Sequence, residues 1–372
     1  MLDRCINVLV ISTNGILKDG ITAWLVATFG AMDLEGLSVT TVAFDGVEPG
    51  VAEDVEAAGV EVVTLPSRQY DLWAYSRVLK RLLESRRFDV VHVCCSSTLA
   101  AIELIQARRS AVGMRIAHSH NTMCSHRVAN LLLNPLFQLS LTDRYACGRG
   151  AGKWLFGNRP FTVIPNGKDL STYSFDSRVR KAVRKELGLD EGDVAIGHVG
   201  GFNEQKNHAK LVEAFAELYR RDYTRRLFLI GNGHLMPEVK EKAEKLSVAE
   251  AVCFLGRRDD VPRLLNGLDC MVLPSLYEGF PNVVLEWQLN GLPVVMSDTI
   301  ADECAITSLV SQMPLNALAV EWADAVERAM AGRDRATDSE AARRAAKAEG
   351  YDIRENAATL RRLYLEGVER CK

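Results

Sequence analysis

Short apolar runs rich in Val and Ile recur along the chain, separated by stretches whose apolar residues keep helical spacing. Ile6–Ser12, Val39–Phe44, Val60–Leu65, Val90–Cys94 and Arg115–Ala117 read as strands, and Ile21–Leu34, Leu72–Ser85 and Leu99–Arg109 as helices between them. Continuous apolar strands alternating with helices predict a parallel sheet covered on both faces, a doubly wound α/β domain. The rhythm stops at Pro165-Asn166-Gly167, a turn cluster followed by polar Ser171–Asp176, and then restarts. Val194–Val199, Leu227–Ile230, Val252–Leu255, Cys270–Leu273 and Val294–Met296 read as strands of a second such domain. Lys210–Tyr219, Met236–Leu246, Val261–Leu265 and Pro281–Asn290 are its expected helices. Two Rossmann-like domains facing across a cleft follow, at 1–166 and 167–350. The Ala- and Arg-rich tail is expected to be helical and, by composition, without chemistry. Ligands of open α/β sheets sit beyond the carboxyl ends of strands, so the strand exits are where chemistry is sought.

A length of 372 residues suits two domains, each with its own core. The net charge of −3 does not mark a nucleic-acid partner. Local charge is uneven: residues 1–67 hold 2 basic and 10 acidic side chains, whereas 68–159 hold 14 basic and 5 acidic. The basic half reads either as solvated surface or as a face for anionic lipid or substrate. Nine cysteines without a CxxC pair suggest reduced thiols in a cytosolic protein. No run approaches the roughly 18 apolar residues of a membrane span, so any membrane contact is expected to be peripheral. The Leu131–Phe137 run and the Leu72–Leu83 stretch read first as core, with lipid docking as the alternative.

The most informative stretch is Leu273–Trp287, LPSLYEGFPNVVLEW. An apolar strand leads through a turn at Glu278, Gly279 and Phe280 to Pro281, which suits the first position of a helix. Asn282, Val283 and Val284 then leave N–H groups at a helix N-terminus, an anion site. Glu278 and Glu286 flank it, and carboxylates beside a phosphate site point to hydroxyl groups, hence to a sugar nucleotide. A second glycine turn, Gly200-Gly201, follows a strand and permits close backbone approach, with Lys206 supplying a charge for phosphate. Gly20 opens the first helix of the first domain and is a weaker candidate for phosphate or acceptor. His118 and His120 end the fifth strand on one side of the sheet. His120 is the candidate to line the cleft and His118 to be packed; zinc, with Cys124 and His126 nearby, is the competing reading. Arg257, at another strand exit, is a candidate for stacking on a base.

Together these residues resemble the retaining glycosyltransferases of family 4, which have the GT-B fold, over nearly the whole chain. The likeness is to bacterial enzymes of exopolysaccharide and capsule assembly, through His118–Thr122 (HSHNT), Ile164–Gly167 (IPNG) and above all Glu278 to Glu286, Glu-x7-Glu. The resemblance implies that Glu278 holds donor-sugar hydroxyls, Glu286 the ribose hydroxyls and Lys206 the diphosphate. It implies that N–H groups from Gly279 to Val284 serve sugar and diphosphate, that His120 lines the acceptor side, and that Gly20 packs near donor phosphate or acceptor. Residues 351–372 are expected to cross back onto the first domain. One departure stands out: where the family usually has Arg before the loop Phe, this chain has Gly201, which leaves Arg149, Arg257 or Arg258 to compensate. The implied activity is a metal-independent hexosyltransferase using a UDP-sugar, with no cofactor. Its acceptor is expected to be a lipid-linked saccharide at the inner face of the cytoplasmic membrane. Two rivals are a nucleotide-sugar-binding protein weakened in catalysis by Gly201 and a metal hydrolase built on His118 and His120.

Overall fold

The computed structural model describes residues 4–44, 47, 50–121, 127–278 and 280–371, and divides into two compact units. One comprises Met1–Lys168 with Gly350–Lys372, the other Asp169–Glu349. The first unit runs β1 (Ile6–Ser12), α1 (Gly20–Gly30), β2 (Leu37–Phe44), α2 (Val51–Ala57), β3 (Glu61–Leu65), α3 (Leu72–Arg86) and β4 (Val90–Cys95). It continues through α4 (Ala101–Arg109), β5 (Met114–Ser119), α5 (Arg127–Ser140), β6 (Asp143–Ala146), α6 (Arg149–Phe156) and β7 (Thr162–Val163). The second holds α7 (Ser177–Glu186), β8 (Val194–Val199), α8 (His208–Arg221), β9 (Arg225–Ile230), α9 (Met236–Lys245), β10 (Val252–Gly256) and α10 (Val261–Leu265). After them come β11 (Cys270–Leu273), α11 (Asn282–Leu289), β12 (Val294–Ser297), β13 (Val310–Met313), α12 (Ala319–Met330) and α13 (Arg335–Ala348). The last helix, α14 (Ile353–Arg370), belongs to the first unit.

Both sheets are parallel, in the orders β3-β2-β1-β4-β5-β6-β7 and β10-β9-β8-β11-β12-β13. The chain therefore reverses its direction of travel between β1 and β4 in one unit, and between β8 and β11 in the other. Strand period sends Val8 and Val10 into a core with Trp24 of α1 and Leu360 of α14. Leu9 and Ile11 enter the opposite core, with Leu79 of α3, Leu104 of α4 and Phe137 of α5. Two buried faces explain why these strands read as unbroken apolar runs. The tail is tied down by Ile353 N–H to the Lys168 carbonyl at 3.1 Å and by the Asn356 side chain to the Pro165 carbonyl at 2.7 Å. Gly167 is needed there, since a Cβ on it would lie 2.8 Å from the Ile353 Cα.

Several expectations are corrected. The helix expected over Ile21–Leu34 ends at Gly30, and the strand at Arg115–Ala117 extends to Met114–Ser119, so His120 stands just past its end. Three short strands, Asp143–Ala146, Thr162–Val163 and Val310–Met313, are polar or part-exposed and so show no apolar run in the sequence. The helix Ser177–Glu186 escaped notice because only its Val183 is buried; Asp176 caps it, and Arg180 and Arg184 fix it to Asp269. Pro281 is the residue before α11, extended at ψ 90°, instead of its first helical position. Of the run Leu131–Phe137, read first as core, only Phe137 is buried, while Leu131, Leu132 and Leu136 are exposed. In Leu72–Leu83, Tyr75, Leu79 and Leu83 face the core but Leu72 and Trp73 do not. Among the described residues no helix is long and apolar enough to cross a membrane.

Candidate active site

The loops that leave β8 and β11 meet at the point where the second sheet reverses, the place where open α/β sheets hold ligands. Lys206 ends a short 3-10 turn, Glu204–Lys206, set by the Asn203 side chain accepting the Lys206 N–H at 3.2 Å. Two bonds lace this turn to the β11 exit: Leu276 N–H to the Gln205 carbonyl at 2.8 Å, and Asn207 Nδ2 to the Pro274 carbonyl at 3.1 Å. Glu278 is thereby brought against Lys206, with Nζ 2.6 Å from Oε1. Ser275 Oγ donates to the same oxygen at 2.8 Å, and Gln205 Nε2 to Oε2 at 3.1 Å. The Lys206 and Glu278 side chains are 16% and 8% exposed, so the pair is largely withdrawn from water and correspondingly less screened than a surface pair. Chemically the constellation offers a cation for phosphate and an acceptor-only carboxylate for hydroxyl groups within one contact.

Glycine chemistry at this exit separates two neighbours that look alike in sequence. A Cβ on Gly200 would stand 2.8 Å from His198 Nε2 and 3.2 Å from the Lys206 stem, so Gly200 makes room for the lysine to cross. A Cβ on Gly201 would meet only ordinary contacts, at 3.6 Å from the Asn203 side chain and the Asn232 carbonyl. The loop after β9 packs backbone to backbone on this turn. Phe202 N–H donates to the Asn232 carbonyl at 3.0 Å, and Gly231, at φ +143°, lies so close that a Cβ would reach the Gly200 oxygen at 2.0 Å. Beneath the turn, fully buried His198 donates from Nδ1 to the Val272 carbonyl at 2.8 Å, and burial pushes its pKa well down. His198 Nε2 therefore faces the Gly200 turn as a bare lone pair.

At α11, Val284 N–H is already bonded to the Pro281 carbonyl at 2.9 Å, which corrects the expectation of a free donor there. Asn282 and Val283 are half-buried at the helix start, and the Asn282 Oδ1 has no partner among the described residues. Phe280 packs against the core beneath, and Gly279 lies outside the described residues. Glu286 bonds the Tyr173 hydroxyl, whose pKa is raised by burial first and then by the carboxylate. Arg257 is exposed, whereas Arg258 is taken up by Asp260 at 2.7 Å and Glu186 at 3.4 Å.

The first unit holds the other candidates. Gly20 begins α1, but Asp19 caps that helix, its Oδ1 accepting from the N–H groups of Ile21 and Thr22 at 3.1 and 2.9 Å. Two donors meant for a ligand anion are thus already occupied by the chain's own carboxylate. The His120 ring packs tilted against that of His118, ring centroids 4.1 Å apart and planes at 41°, and Trp24 stands edge-on to both. Burial pushes the pKa of His120 down to about 3 and that of His118 well down. His92, which no motif marked, lies 3.0 Å from His118 through Nε2–Nδ1, and with Cys94 these form a group close enough to hold a metal. Both His92 nitrogens, however, are already hydrogen-bonded, Nδ1 with the Tyr364 hydroxyl at 2.6 Å. Thr122, Cys124 and His126 lie outside the described residues.

Sequence reasoning did not single out Ser275, Gln205, His198, Tyr173, His92 or Tyr364. Gly231-Asn232-Gly233 at a strand exit was a legible signal for the third loop; the others gave none, because their meaning lies in long-range contact.

The fold is GT-B, two parallel-sheet Rossmann-like α/β units. Residues 179–344, which contain Lys206, Glu278 and Glu286, match the family Glycosyl transferases group 1. Over 96% of its length, and 96% of the relative's, the chain is 29% identical to a Bacillus subtilis (strain 168) protein named glycosyltransferase EpsF. It is 28% identical to the Escherichia coli UDP-Gal:alpha-D-GlcNAc-diphosphoundecaprenol alpha-1,3-galactosyltransferase, over 61% of this chain and 62% of that one. Among solved structures, Anabaena Alr3699/HepE in complex with UDP superposes with a TM-score of 0.81 at 18% identity, covering 97% of this chain and all (100%) of that one.

Proposed function

We propose that this protein is a retaining hexosyltransferase of family 4 that moves a sugar from a UDP-sugar to a lipid-linked saccharide in exopolysaccharide or capsule synthesis. The observation that carries the reading is the Lys206–Glu278 contact at the switch point of the second sheet, within the stretch that matches the group 1 family. Lys206 neutralises the departing diphosphate, Glu278 binds hydroxyls of the transferred sugar, and Glu286, aligned by Tyr173, binds those of the ribose. Gly200 lets the lysine through, Asn282 and Val283 present the start of α11, and Gly279 and Phe280 belong to the donor-binding set. Gly201 borders the diphosphate, Arg257 stacks on the base, and in the first unit His120 serves the acceptor side with Gly20 nearby. In the transfer, the bond from the anomeric carbon to phosphate breaks as the acceptor oxygen bonds on the same face. The acceptor proton passes to the departing phosphate oxygen, so neither metal nor cofactor is called for. The UDP donor is supported by HepE, a structural neighbour solved with UDP, and the lipid-linked acceptor by the E. coli relative's name.

The proposed location is peripheral, at the cytoplasmic face of the membrane, and α5 supports the membrane contact. Val128, Leu131, Leu132, Leu136 and Leu139 are 73, 74, 71, 49 and 66% exposed, and helical spacing places them on one face. Such outward leucines are unusual on a soluble helix. Exposed Arg108 donates to the Leu139 carbonyl at 2.8 Å, and Arg109 follows it, which suits an anionic lipid surface. Leu131→Asp with Leu139→Asp is expected to abolish flotation with phosphatidylglycerol vesicles; undiminished flotation would remove α5 from the surface.

The donor reading is tested by UDP release with UDP-, GDP- and ADP-sugars in the presence of a lipid-linked acceptor. UDP-sugars are expected to support turnover that Glu278→Ala abolishes. Preference for GDP-mannose overturns the nucleotide assignment, and turnover retained by Glu278→Ala removes that residue from the site. The weakened-binder reading rests on Gly201 and predicts donor binding without turnover. A metal hydrolase is disfavoured because the His92, Cys94 and His118 group has no carboxylate and both His92 nitrogens are engaged.

A further inference from the structure

Three buried side chains from distant parts of the first unit form one hydrogen-bonded line. The Tyr364 hydroxyl of α14 lies 2.6 Å from His92 Nδ1 on β4, and His92 Nε2 lies 3.0 Å from His118 Nδ1 on β5. All three residues are fully buried. His118 Nε2 and His120 Nε2 have no partner among the described residues, and the two rings lie in tilted contact, centroids 4.1 Å apart. Each neutral imidazole carries one N–H, so the line has two possible directions.

If Tyr364 donates to His92, then His92 Nε2–H donates to His118 Nδ1, and His118 carries its proton on Nε2. Only that outer N–H is left unmatched. In the opposite direction His118 Nδ1–H donates to His92 and His92 Nδ1–H to the Tyr364 oxygen. The phenolic hydrogen then has no acceptor among the described residues, and the His118 Nε2 lone pair is unmatched as well. Buried polar groups without partners are costly, so the first direction wins. The buried phenol also keeps its proton, its pKa raised well up by burial.

We propose that Tyr364 is a positioning residue: through His92 it locks His118 as the Nε2–H tautomer, so that His120 rests against a fixed neutral donor ring. The C-terminal helix thereby acts on the acceptor-side histidine without touching substrate. The catalytic part of this inference rests on the role proposed for His120; the tautomer part does not.

Tyr364→Phe removes one oxygen and nothing else. Without the hydroxyl, both directions leave two groups unmatched, so the tautomers of His92 and His118 should mix. Long-range nitrogen–proton NMR on the full chain with 15N-labelled histidine reads this directly, aided by there being only 7 histidines. The wild type is expected to show His118 and His92 wholly as Nε2–H, and Tyr364→Phe to show both forms. Alongside, kcat should fall about tenfold with the donor KM unchanged, as for loss of an interaction made only in the transition state. A His118 Nδ1–H tautomer in the wild type, or an unchanged single tautomer in Tyr364→Phe, overturns the proposal. Mixed tautomers with unchanged kcat overturn its catalytic part. A wild type without any transfer activity would instead sink the transferase reading, while the NMR comparison still decides the relay. Should Tyr364→Phe unfold, His92→Phe, whose ring neither donates nor accepts, breaks the line instead, with the His118 tautomer again as readout.

Discussion

Removing the Lys206 ammonium tests whether the cation and the carboxylate of this site are one unit. Lys206→Met keeps most of the apolar stem and deletes the charge. Glu278, at 8% exposure, then loses its 2.6 Å contact but keeps Ser275 Oγ at 2.8 Å and Gln205 Nε2 at 3.1 Å. Breaking a fully buried ion pair costs about 3–5 kcal/mol; a single hydrogen bond to a charged group is worth about 1.5–3 kcal/mol. With two donors remaining, the lower range applies, and the expected loss of stability is about 2 kcal/mol. Glu278→Gln strands the ammonium instead and should cost a similar amount. The double variant has no stranded charge, so it should lose less than the two singles together, a coupling of about 1–3 kcal/mol. Urea unfolding of the four proteins, read on the transition of the unit that holds the pair, supplies the cycle. UDP release should stay absent in the double variant even where stability returns, because neither phosphate nor sugar then has its partner. Additive effects within about 0.5 kcal/mol would refute the argument that these residues act as a pair.

Gly201→Arg should be tolerated, since a Cβ there meets nothing nearer than 3.6 Å. If the site lacks a cation worth about 2 kcal/mol or more against the departing diphosphate, kcat/KM should rise roughly 30-fold; unchanged turnover would show that another group already compensates. Gly231→Ala should lower stability by more than about 3 kcal/mol, because its Cβ would strike the Gly200 oxygen at 2.0 Å and the backbone sits at φ +143°. A urea midpoint equal to wild type would contradict that packing. Burial holds the pKa of His92 and of His120 down at about 3. The unfolded chain takes up these protons near 6.5, so stability is full above that pH and falls as pH drops toward 3. Each such histidine contributes about 1.4 kcal/mol per pH unit to the loss. Identical urea midpoints at pH 7.5 and 5.5 would show these histidines to be more open to solvent than the structure has them.

The alternation of strand and helix was legible because strands buried on both faces must be apolar throughout, as Val8 to Ile11 are. Elements that owe their place to polar contacts were not. Helix α7 has one buried residue and is held by a cap and by Asp269. Helix α5 carries leucines in a run that local pattern assigns to the core, and only packing shows that Phe137 alone points inward. In the candidate site, the spacing of Glu278 and Glu286 and the glycines before Lys206 could be read locally, since turns and helix starts constrain nearby residue types. Which partner each meets could not.

What the sequence by itself determined is therefore the local part: two successive βα rhythms, a glycine turn, and a Glu-x7-Glu stretch spanning a helix start. Tertiary structure alone decided that Lys206 and Glu278, 72 positions apart, share a 2.6 Å contact. It alone set Tyr364 against His92 across 272 positions. The physical reason is the same in both cases. Burial and hydrogen bonding between distant segments depend on sheet order, and a parallel sheet that reverses at β8 and β11 makes neighbours of strands that are not consecutive in the chain.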